Sequence, residues 1–266
     1  GCVAAMLSAL CEIAKSKKRP AETEIIFAGL IDEENGQAGS RALIESGFQA
    51  DLAIVGEPTE LKIVTAHKGS LWLRFETRGR AAHGSRPELG KNAVHEMAQI
   101  VDLLETDYAA ELKKRKHPLL GTPTISVGTI TGGTQANIVP DKCVATADRR
   151  TLPSETENSV RREVKILLQK NNLKAVLLND KMASCWPMET DFMLPLVQQM
   201  FHCLKQNKLI GVDYFCDASV LSRGGIPSVV FGPGNIAQAH RPDEWIAISQ
   251  LERGTVMLVR FLKSFV

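Results

Sequence analysis

Residues 52–77, LAIVGEPTELKIVTAHKGSLWLRFET, contain two different strand patterns in succession. The first, at residues 52–55, is a short and nearly continuous apolar run, which is typical of a strand buried on both faces of a parallel sheet. The second, at residues 70–77, alternates in the manner of a strand with one solvated face. The change after His67 therefore predicts that one domain ends there and that a domain of different architecture begins.

Upstream of this stretch, short strands alternate with helices. Apolar residues at helical spacing predict a helix within residues 3–13, and a second helix carries residues 42–44. Between them, residues 22–29 (ETEIIFAG) form a β-branched run that predicts a strand. This order indicates an α/β domain with a central, mostly parallel sheet and helices on both faces.

Downstream of His67 the pattern predicts a smaller α+β domain. We expect strands at residues 122–130, 143–149 and 174–178 and helices at 92–104 and 155–169, which gives a ferredoxin-like β-α-β-β-α-β order. From residue 192 the α/β pattern resumes with a helix, an apolar run at residues 226–231 and a final helix at 249–265. The predicted division is therefore a catalytic α/β domain at 1–67 and 180–266, interrupted by a dimerisation or lid domain at 68–179.

The composition limits the classes of partner. Lys and Arg number 32 against 30 Asp and Glu, so the net charge of +2 gives no electrostatic reason to expect nucleic acid or a membrane. No apolar run approaches the ~18 residues of a membrane span, and no signal sequence opens the chain. Six cysteines without a CxxC pair indicate reduced thiols. We expect a cytoplasmic protein with a small-molecule ligand.

Polar side chains follow three of the predicted apolar runs. Asp32, Glu33 and Glu34 come after the first, Glu57 after the second, and His240 shortly after the third. Ligands of α/β proteins bind at the carboxyl ends of strands, and carboxylates with a histidine suit zinc, with an uncoordinated carboxylate as general base. Taken singly, the acidic triplet also fits a solvated loop or a helix start, and the histidine fits a surface loop.

Five stretches in fixed order resemble a known family of dinuclear metallohydrolases. It includes acetylornithine deacetylase, succinyl-diaminopimelate desuccinylase, aminoacylase and carboxypeptidase. The stretches are DEENGQAGS at Asp32, VGEPTELKIVTAHKGS at Val55, GRAAHGSRPELGKNAV at Gly79, GGTQANIVPDKCVATADRRTLP at Gly132 and GIPSVVFGPGNIAQAHRPDEW at Gly225.

The resemblance implies roles for the residues at the strand ends. Glu33 is then the general base, Glu34 and His240 are ligands of one metal ion, and Glu57 is a ligand of the other. The family implies two Zn²⁺ ions per full-length subunit, and Co²⁺ suits the same ligands.

The resemblance also implies substrate-binding residues. His83 resembles the histidine that stabilises the oxyanion in the partner subunit's site, which implies a homodimer. Asn137 and Arg150 resemble the residues that hold the substrate's α-carboxylate, and strand alternation separates Arg150 from its neighbour Arg149. The backbone N–H groups of Gly232 and Gly234 are further candidates for substrate contacts.

Among the branches of the family, the motifs are most similar to acetylornithine deacetylase, which hydrolyses an N-acyl amino acid. Desuccinylase, aminoacylase and dipeptidase activities are the alternatives, because they use the same metals and base.

The family pattern also includes a leading segment with His-x-Asp and Asp-Met-Lys-Gly motifs, which does not precede Gly1 here. We therefore expect a chain without its first metal ligands and with an apolar edge at residues 22–29. A non-catalytic dimerising or binding protein is the second hypothesis.

Overall fold

The computed structural model describes residues 1–17, 19–178 and 184–265. The chain forms two compact units. Unit 1 comprises Gly1–His67 and Met188–Val266, and unit 2 comprises Lys68–Pro187. The first division coincides with the change of pattern after His67. The second lies after Pro187 rather than after residue 179, and residues 179–183 are outside the described ranges.

Helices and strands are numbered in chain order. The helices are α1 (Cys2–Lys15), α2 (Ala38–Glu45), α3 (Ala93–Leu103), α4 (Ala109–Leu112), α5 (Glu157–Lys170), α6 (Pro195–Cys203), α7 (Ala218–Arg223) and α8 (Ile248–Leu262). The strands are β1 (Ala53–Val55), β2 (Val64–His67), β3 (Gly69–Arg78), β4 (Thr124–Gly132), β5 (Lys142–Thr151), β6 (Val176–Leu178), β7 (Met188–Glu189), β8 (Ile210–Val212) and β9 (Ser228–Val230). A π-helical turn, Leu104–Tyr108, joins α3 to α4.

The sheet of unit 1 is mixed. Its strand order is β1-β9-β2-β7, with β8 also paired to β2. The β1–β9 and β2–β8 pairs are parallel, whereas β2 pairs with β9 and β7 in antiparallel fashion. The α/β class is confirmed, and in the register of the described strands six Cα pairs are parallel and three are antiparallel. Every residue of β2 is buried.

The strand predicted at residues 22–29 is not formed. The segment has no helix or strand in the structure, and Ile26 and Phe27 are exposed, while Ile25 packs against the core of unit 1. A β-branched composition favours extended backbone, but a strand also needs a neighbour to accept its hydrogen bonds. This segment is therefore irregular chain at the surface of unit 1.

Unit 2 has the predicted ferredoxin-like architecture. Its antiparallel sheet has the order β4-β5-β3-β6, and α3 and α5 supply the crossovers. One sheet face packs against these helices, as in the contact of Phe75 with a core that contains Met97 and Val164. Asn92 caps α3 by accepting hydrogen bonds from the N–H groups of Val94 and His95. On the other face of the sheet, alternate residues of β5 are only partly buried.

No helix in the described ranges is both long and apolar enough to cross a lipid bilayer. All six cysteines are free thiols, as the spacing predicted.

Candidate active site

Asp32 organises the acidic loop that carries Glu33 and Glu34. Its carbonyl oxygen accepts hydrogen bonds from the N–H groups of Gly36 and Gln37 at 3.1 and 2.6 Å, and its Oδ2 accepts one from Ala38 at 3.3 Å. Asp32 has a φ of 67°, which its short polar side chain tolerates. The first acid of the triplet is therefore structural, while Glu33 is half-buried and Glu34 is exposed.

Glu33 and Glu57 lie in an electrostatically crowded part of unit 1. Burial, followed by the charges of Glu34 and Asp217, raises the pKa of Glu33 to about 7. Burial, followed by the charges of Glu33, Glu34 and Asp217, raises the pKa of Glu57 to about 8. Carboxyls with such values exchange protons near neutral pH, which is the property required of a general base.

Glu34 and His240 are in direct contact. The Nε2 atom of His240 lies 2.9 Å from Oε1 of Glu34, although 206 residues separate them, and both side chains are largely exposed. The hydrogen bond to Glu34 raises the pKa of His240. Like Asp32, His240 has a positive φ, of 62°. The structure thus brings together Glu33, Glu34, Glu57 and His240, four residues that the sequence analysis assigned to one site.

Two neighbouring residues were missed by the sequence analysis. Asp217 is buried, and its Oδ1 accepts a 2.7 Å hydrogen bond from Ser40 Oγ, which links the start of α7 to α2. Burial raises the pKa of Asp217. The hydroxyl of Tyr214 is also buried, has no hydrogen-bond partner among the described residues, and interacts electrostatically with Glu57. The run Tyr-Phe-Cys-Asp after β8 carries both, but nothing local marks it as part of the site.

The metal ligands expected from the sequence fit a zinc site only in part. Two ligands of one tetrahedral zinc ion lie about 3.4 Å apart, close to the 2.9 Å between Glu34 and His240. The crowded carboxylates at Glu33 and Glu57 also favour a cation. However, no group of three or more His, Cys, Asp or Glu side chains in the described ranges has the arrangement of a metal site. The spacing of Glu34 and His240 therefore fits two ligands of one zinc ion, but the described residues do not form a complete set of three ligands.

The roles expected for Gly232 and Gly234 are not supported by the structure. The N–H of Gly232 donates to Thr59 Oγ1 at 3.1 Å, and the N–H of Gly234 donates to Gln250 Oε1 at 2.9 Å. Both donors are therefore engaged inside unit 1. Gly232 instead allows a close approach, since a Cβ there would lie 2.6 Å from the carbonyl oxygen of Glu57. At Gly232 the loop after β9 is therefore in close contact with the loop that carries Glu57.

In unit 2, His83 and Asn137 lie on two paired loop segments. The N–H of Gly84 donates to the carbonyl of Asn137 at 2.7 Å, and His83 pairs with Ile138 in an isolated antiparallel bridge. The backbone N–H of Ser85 donates to Nδ1 of His83 at 3.2 Å. Nδ1 also lies 2.8 Å from Ser85 Oγ, and with Nδ1 accepting the backbone hydrogen bond we assign the proton of a neutral His83 ring to Nε2. The exposed side chain thus presents an N–H donor.

Arg150 lies far from that pair within unit 2. In the β3–β5 ladder it is opposite Ser70, whereas Lys142, next to the loops of His83 and Asn137, is opposite Arg78 at the other end. Eight residues of strand separate the two ends, which is about 26 Å. Arg149 is fully buried against Glu155, and Arg150 is on the open face, as alternation predicted. Within one copy of unit 2, Arg150 and the loop that carries Asn137 are thus attached at opposite ends of the β3–β5 ladder.

Comparisons with known proteins agree with this architecture. Residues 65–176 match the M20 family described as "Peptidase dimerisation domain". The acetylornithine deacetylase of Buchnera aphidicola is 29% identical over 272 residues, covering 100% of the chain and 70% of the relative. That of Vibrio cholerae is 30% identical over 243 residues, covering 88% of the chain and 63% of the relative. The chain thus spans about two thirds of the length of these relatives or somewhat less.

Solved structures share the fold. A tripeptidase from Staphylococcus aureus superposes with a TM-score of 0.75 at 20% identity, covering 99% of this chain and 69% of the other. An M20 family metallo-carboxypeptidase from Sulfolobus solfataricus has a TM-score of 0.62 at 19% identity, covering 85% and 66%. Together with the sequence matches, these findings show that the chain is similar to acetylornithine deacetylases and M20 metallopeptidases and that residues 65–176 match a peptidase dimerisation domain.

Proposed function

We propose that this chain takes part in the metal-dependent hydrolysis of the amide bond of an N-acyl amino acid, with Glu33 as the general base. The observation that supports this most directly is the pKa of about 7 at Glu33, beside the contact of Glu34 with His240. A base with a pKa near the working pH combines a useful ionised fraction with enough basicity to take a proton.

In the proposed reaction Glu33 accepts a proton from the attacking water and later donates it to the leaving amine. Glu34, His240 and Glu57 would hold Zn²⁺ or Co²⁺, which when bound polarises the amide carbonyl. His83, with its proton on Nε2, donates a hydrogen bond to the oxygen that becomes negatively charged. In this proposal Glu33 transfers the proton and His83 stabilises the oxyanion.

We further propose that the working form is a homodimer. The loops of Asn137 and His83 are attached at one end of the β3–β5 ladder and Arg150 lies at the other, and in a dimer the partner's copy of unit 2 would supply Asn137 to a carboxylate that Arg150 contacts. The match of residues 65–176 to a dimerisation domain supports the same arrangement.

For the substrate, we propose an N-acetyl amino acid of the acetylornithine type. The support is the name shared by the curated relatives described above, acetylornithine deacetylase.

The test is deacetylation of Nα-acetyl-L-ornithine by the chain with added Zn²⁺ or Co²⁺, compared with Glu33→Gln. We expect the substitution to reduce kcat by about 100-fold or more, because general-base catalysis contributes at least that factor. The control is Glu45→Gln, which removes an exposed carboxylate at the end of α2. Equal rates for the Glu33 variant and the wild type would exclude Glu33 as the base.

A binding function without catalysis is the second candidate. It is favoured by the finding that the described residues contain no three-ligand metal group. Calorimetric binding of Nα-acetyl-L-ornithine without any release of acetate, at every metal concentration tested, would support this alternative.

A further inference from the structure

The face of the unit 2 sheet opposite α3 and α5 borders a cavity that the proposed reaction does not use. The cavity has a volume of about 650 Å³, which is within the range of small-molecule sites. In its lining, Arg74 on β3 is opposite Thr146 on β5, and Thr146 is opposite Thr129 on β4. Residues directly opposite one another in a ladder share a sheet face. A cation and two hydroxyls therefore lie in one row across three strands.

Arg74 is a partly buried cation without a partner. Its neighbours Leu73 and Phe75 are buried in the core of unit 2, so strand alternation directs Arg74 to the cavity. Its guanidinium has no hydrogen bond or ion pair with any residue in the described ranges. A guanidinium carries five N–H donors, and partial burial without a partner removes part of their hydration. Arg74 is therefore suited to an anionic ligand.

The carboxylates on the same face as Arg74 are engaged by other side chains. Glu76 accepts a hydrogen bond from Arg78 Nε at 2.8 Å through Oε1, and its Oε2 lies 3.0 Å from Lys142 Nζ. Both oxygens of Asp148 accept hydrogen bonds from other side chains, at 2.7 and 2.8 Å. Neither carboxylate is bound to Arg74, so the charge of Arg74 is not paired within the sheet.

Much of the remaining cavity wall is apolar. It includes Val144 on β5 and the loop residues 138–140, which are Ile, Val and Pro. Of the described residues that line the cavity, Asp141 alone is acidic, and it precedes Thr146 by five residues, about 16 Å of extended chain. The cavity thus combines a cationic and hydroxyl-bearing end with an apolar wall.

We propose that this cavity binds a small organic anion. Its carboxylate or phosphate group contacts Arg74 and the hydroxyls of Thr129 and Thr146, and its apolar body lies against Val144 and residues 138–140. An inorganic anion would leave most of the volume unfilled, so affinity increases with the apolar body of the ligand. The site belongs to unit 2 and does not depend on Glu33 or on a metal ion.

The test titrates the whole chain with hexanoate, hexyl phosphate and hexanamide. Two-dimensional ¹H–¹⁵N spectra follow the backbone amides of residues 129–131 and 144–146. We expect at least one of the two anions to shift these resonances to saturation. Hexanamide at the same concentrations should leave them unchanged, because it offers Arg74 no negative charge. Acetate should bind about tenfold more weakly than hexanoate or worse, because it lacks the longer hydrocarbon chain.

Variants test the residues that hold the anion. Arg74→Gln should weaken anion binding about tenfold or more, because charge-assisted hydrogen bonds are lost. Arg74→Lys keeps the charge without the planar fork and should weaken it less. Thr146→Val removes one hydroxyl from a side chain of similar shape, and we expect a smaller loss. Arg162→Gln, on the exposed side of α5, makes the same change in net charge and should bind as the wild type does. Thermal unfolding of each variant checks that unit 2 remains folded.

The outcomes are distinct from those of the hydrolysis assay. Shifts caused by both anions support a general oxyanion site, and shifts caused by one of them identify the anionic group that the site takes. The proposal is wrong if neither anion shifts these resonances to saturation, if hexanamide binds as tightly as the anions, or if Arg74→Gln and the wild type bind them equally. Loss of hydrolysis in Glu33→Gln leaves all of these results unaffected.

Discussion

At the scale of single residues, Glu33 and Glu57 should make folding stability depend on pH. Their pKa values in the folded chain are about 7 and about 8, against an ordinary value of 4.5. Below about pH 4.5 both carboxyls are protonated in the folded and the unfolded chain. As the pH rises towards 8, the unfolded chain loses these protons first, so the free energy of unfolding falls.

The measurement is urea unfolding at pH 5 and pH 8 in the presence of EDTA. We expect the fall in the free energy of unfolding between these pH values to be smaller in Glu57→Gln than in the wild type, and unchanged in Glu45→Gln. Replacing EDTA by Zn²⁺ should also reduce the fall, since a bound cation offsets the repulsion among the carboxylates. An equal pH dependence in the wild type and Glu57→Gln would contradict the assigned environment of Glu57.

Gly232 gives a second prediction at the residue scale. A Cβ at this position would lie 2.6 Å from both the carbonyl oxygen of Glu57 and the Sγ of Cys2. Gly232→Ala must therefore displace the loop of Glu57, and we expect a loss of about 1–3 kcal/mol in the free energy of unfolding. Gly29→Ala is the control, because a Cβ there meets only a ring atom of Phe27 at 3.8 Å. Equal urea midpoints for the two variants would show that the loop of Glu57 can move to accommodate a Cβ at position 232 without loss of stability.

At the scale of elements, a buried ion pair joins β5 to the loop before α5. Arg149 is fully buried, and its Nη2 lies 2.5 Å from Oε1 of Glu155, which Arg115 also contacts at 2.7 Å. Glu155→Gln would leave the guanidinium of Arg149 without its carboxylate, so we expect a loss of about 3–5 kcal/mol. The exposed pair of Lys114 with Glu111 is the comparison, and Glu111→Gln should change the free energy of unfolding by about 0.5 kcal/mol or less.

Urea unfolding of both variants at pH 7 decides this point. A loss for Glu155→Gln as small as that for Glu111→Gln would mean that Tyr108 and the remaining contacts suffice to hold Arg149. Tyr108 is the relevant neighbour, because its hydroxyl accepts a hydrogen bond from Arg149 Nε at 3.3 Å.

At the scale of the whole molecule, the proposed homodimer predicts complementation between inactive variants. Glu33→Gln lacks the base and His83→Ala lacks the donor to the oxyanion. If His83 acts in the partner's site, a mixed dimer of these variants contains one intact site and one doubly defective site. After subunit exchange in equal amounts, we expect about a quarter of the wild-type activity, since half of the dimers are mixed and half of their sites are intact.

Sedimentation velocity should first show that each variant alone is a dimer, and each alone should be nearly inactive. If the mixture is no more active than the sum of the separate variants, His83 does not act in the partner's site.

The sequence by itself determined the features that depend on neighbours along the chain. Local capping predicts the helix that begins after Asn92. Local periodicity predicts the alternation that buries Arg149 and places Arg150 on the other face, and it predicts the ferredoxin-like order of unit 2. These features can be predicted because the period of a strand, two residues, and that of a helix, 3.6 residues, are both visible in consecutive positions of the sequence.

The tertiary structure alone decided which segments meet. Residues 22–29 have the composition of a strand but pair with no strand in the described part of the chain, because hydrogen-bond pairing is a property of two segments. The N–H of Gly232 is engaged by Thr59, 173 residues away, and Asp217 reaches Ser40 across 177 residues. Contacts between residues so distant in sequence leave no periodic signal in the chain, so only the folded backbone shows which donors are engaged and which carboxylates surround Glu33.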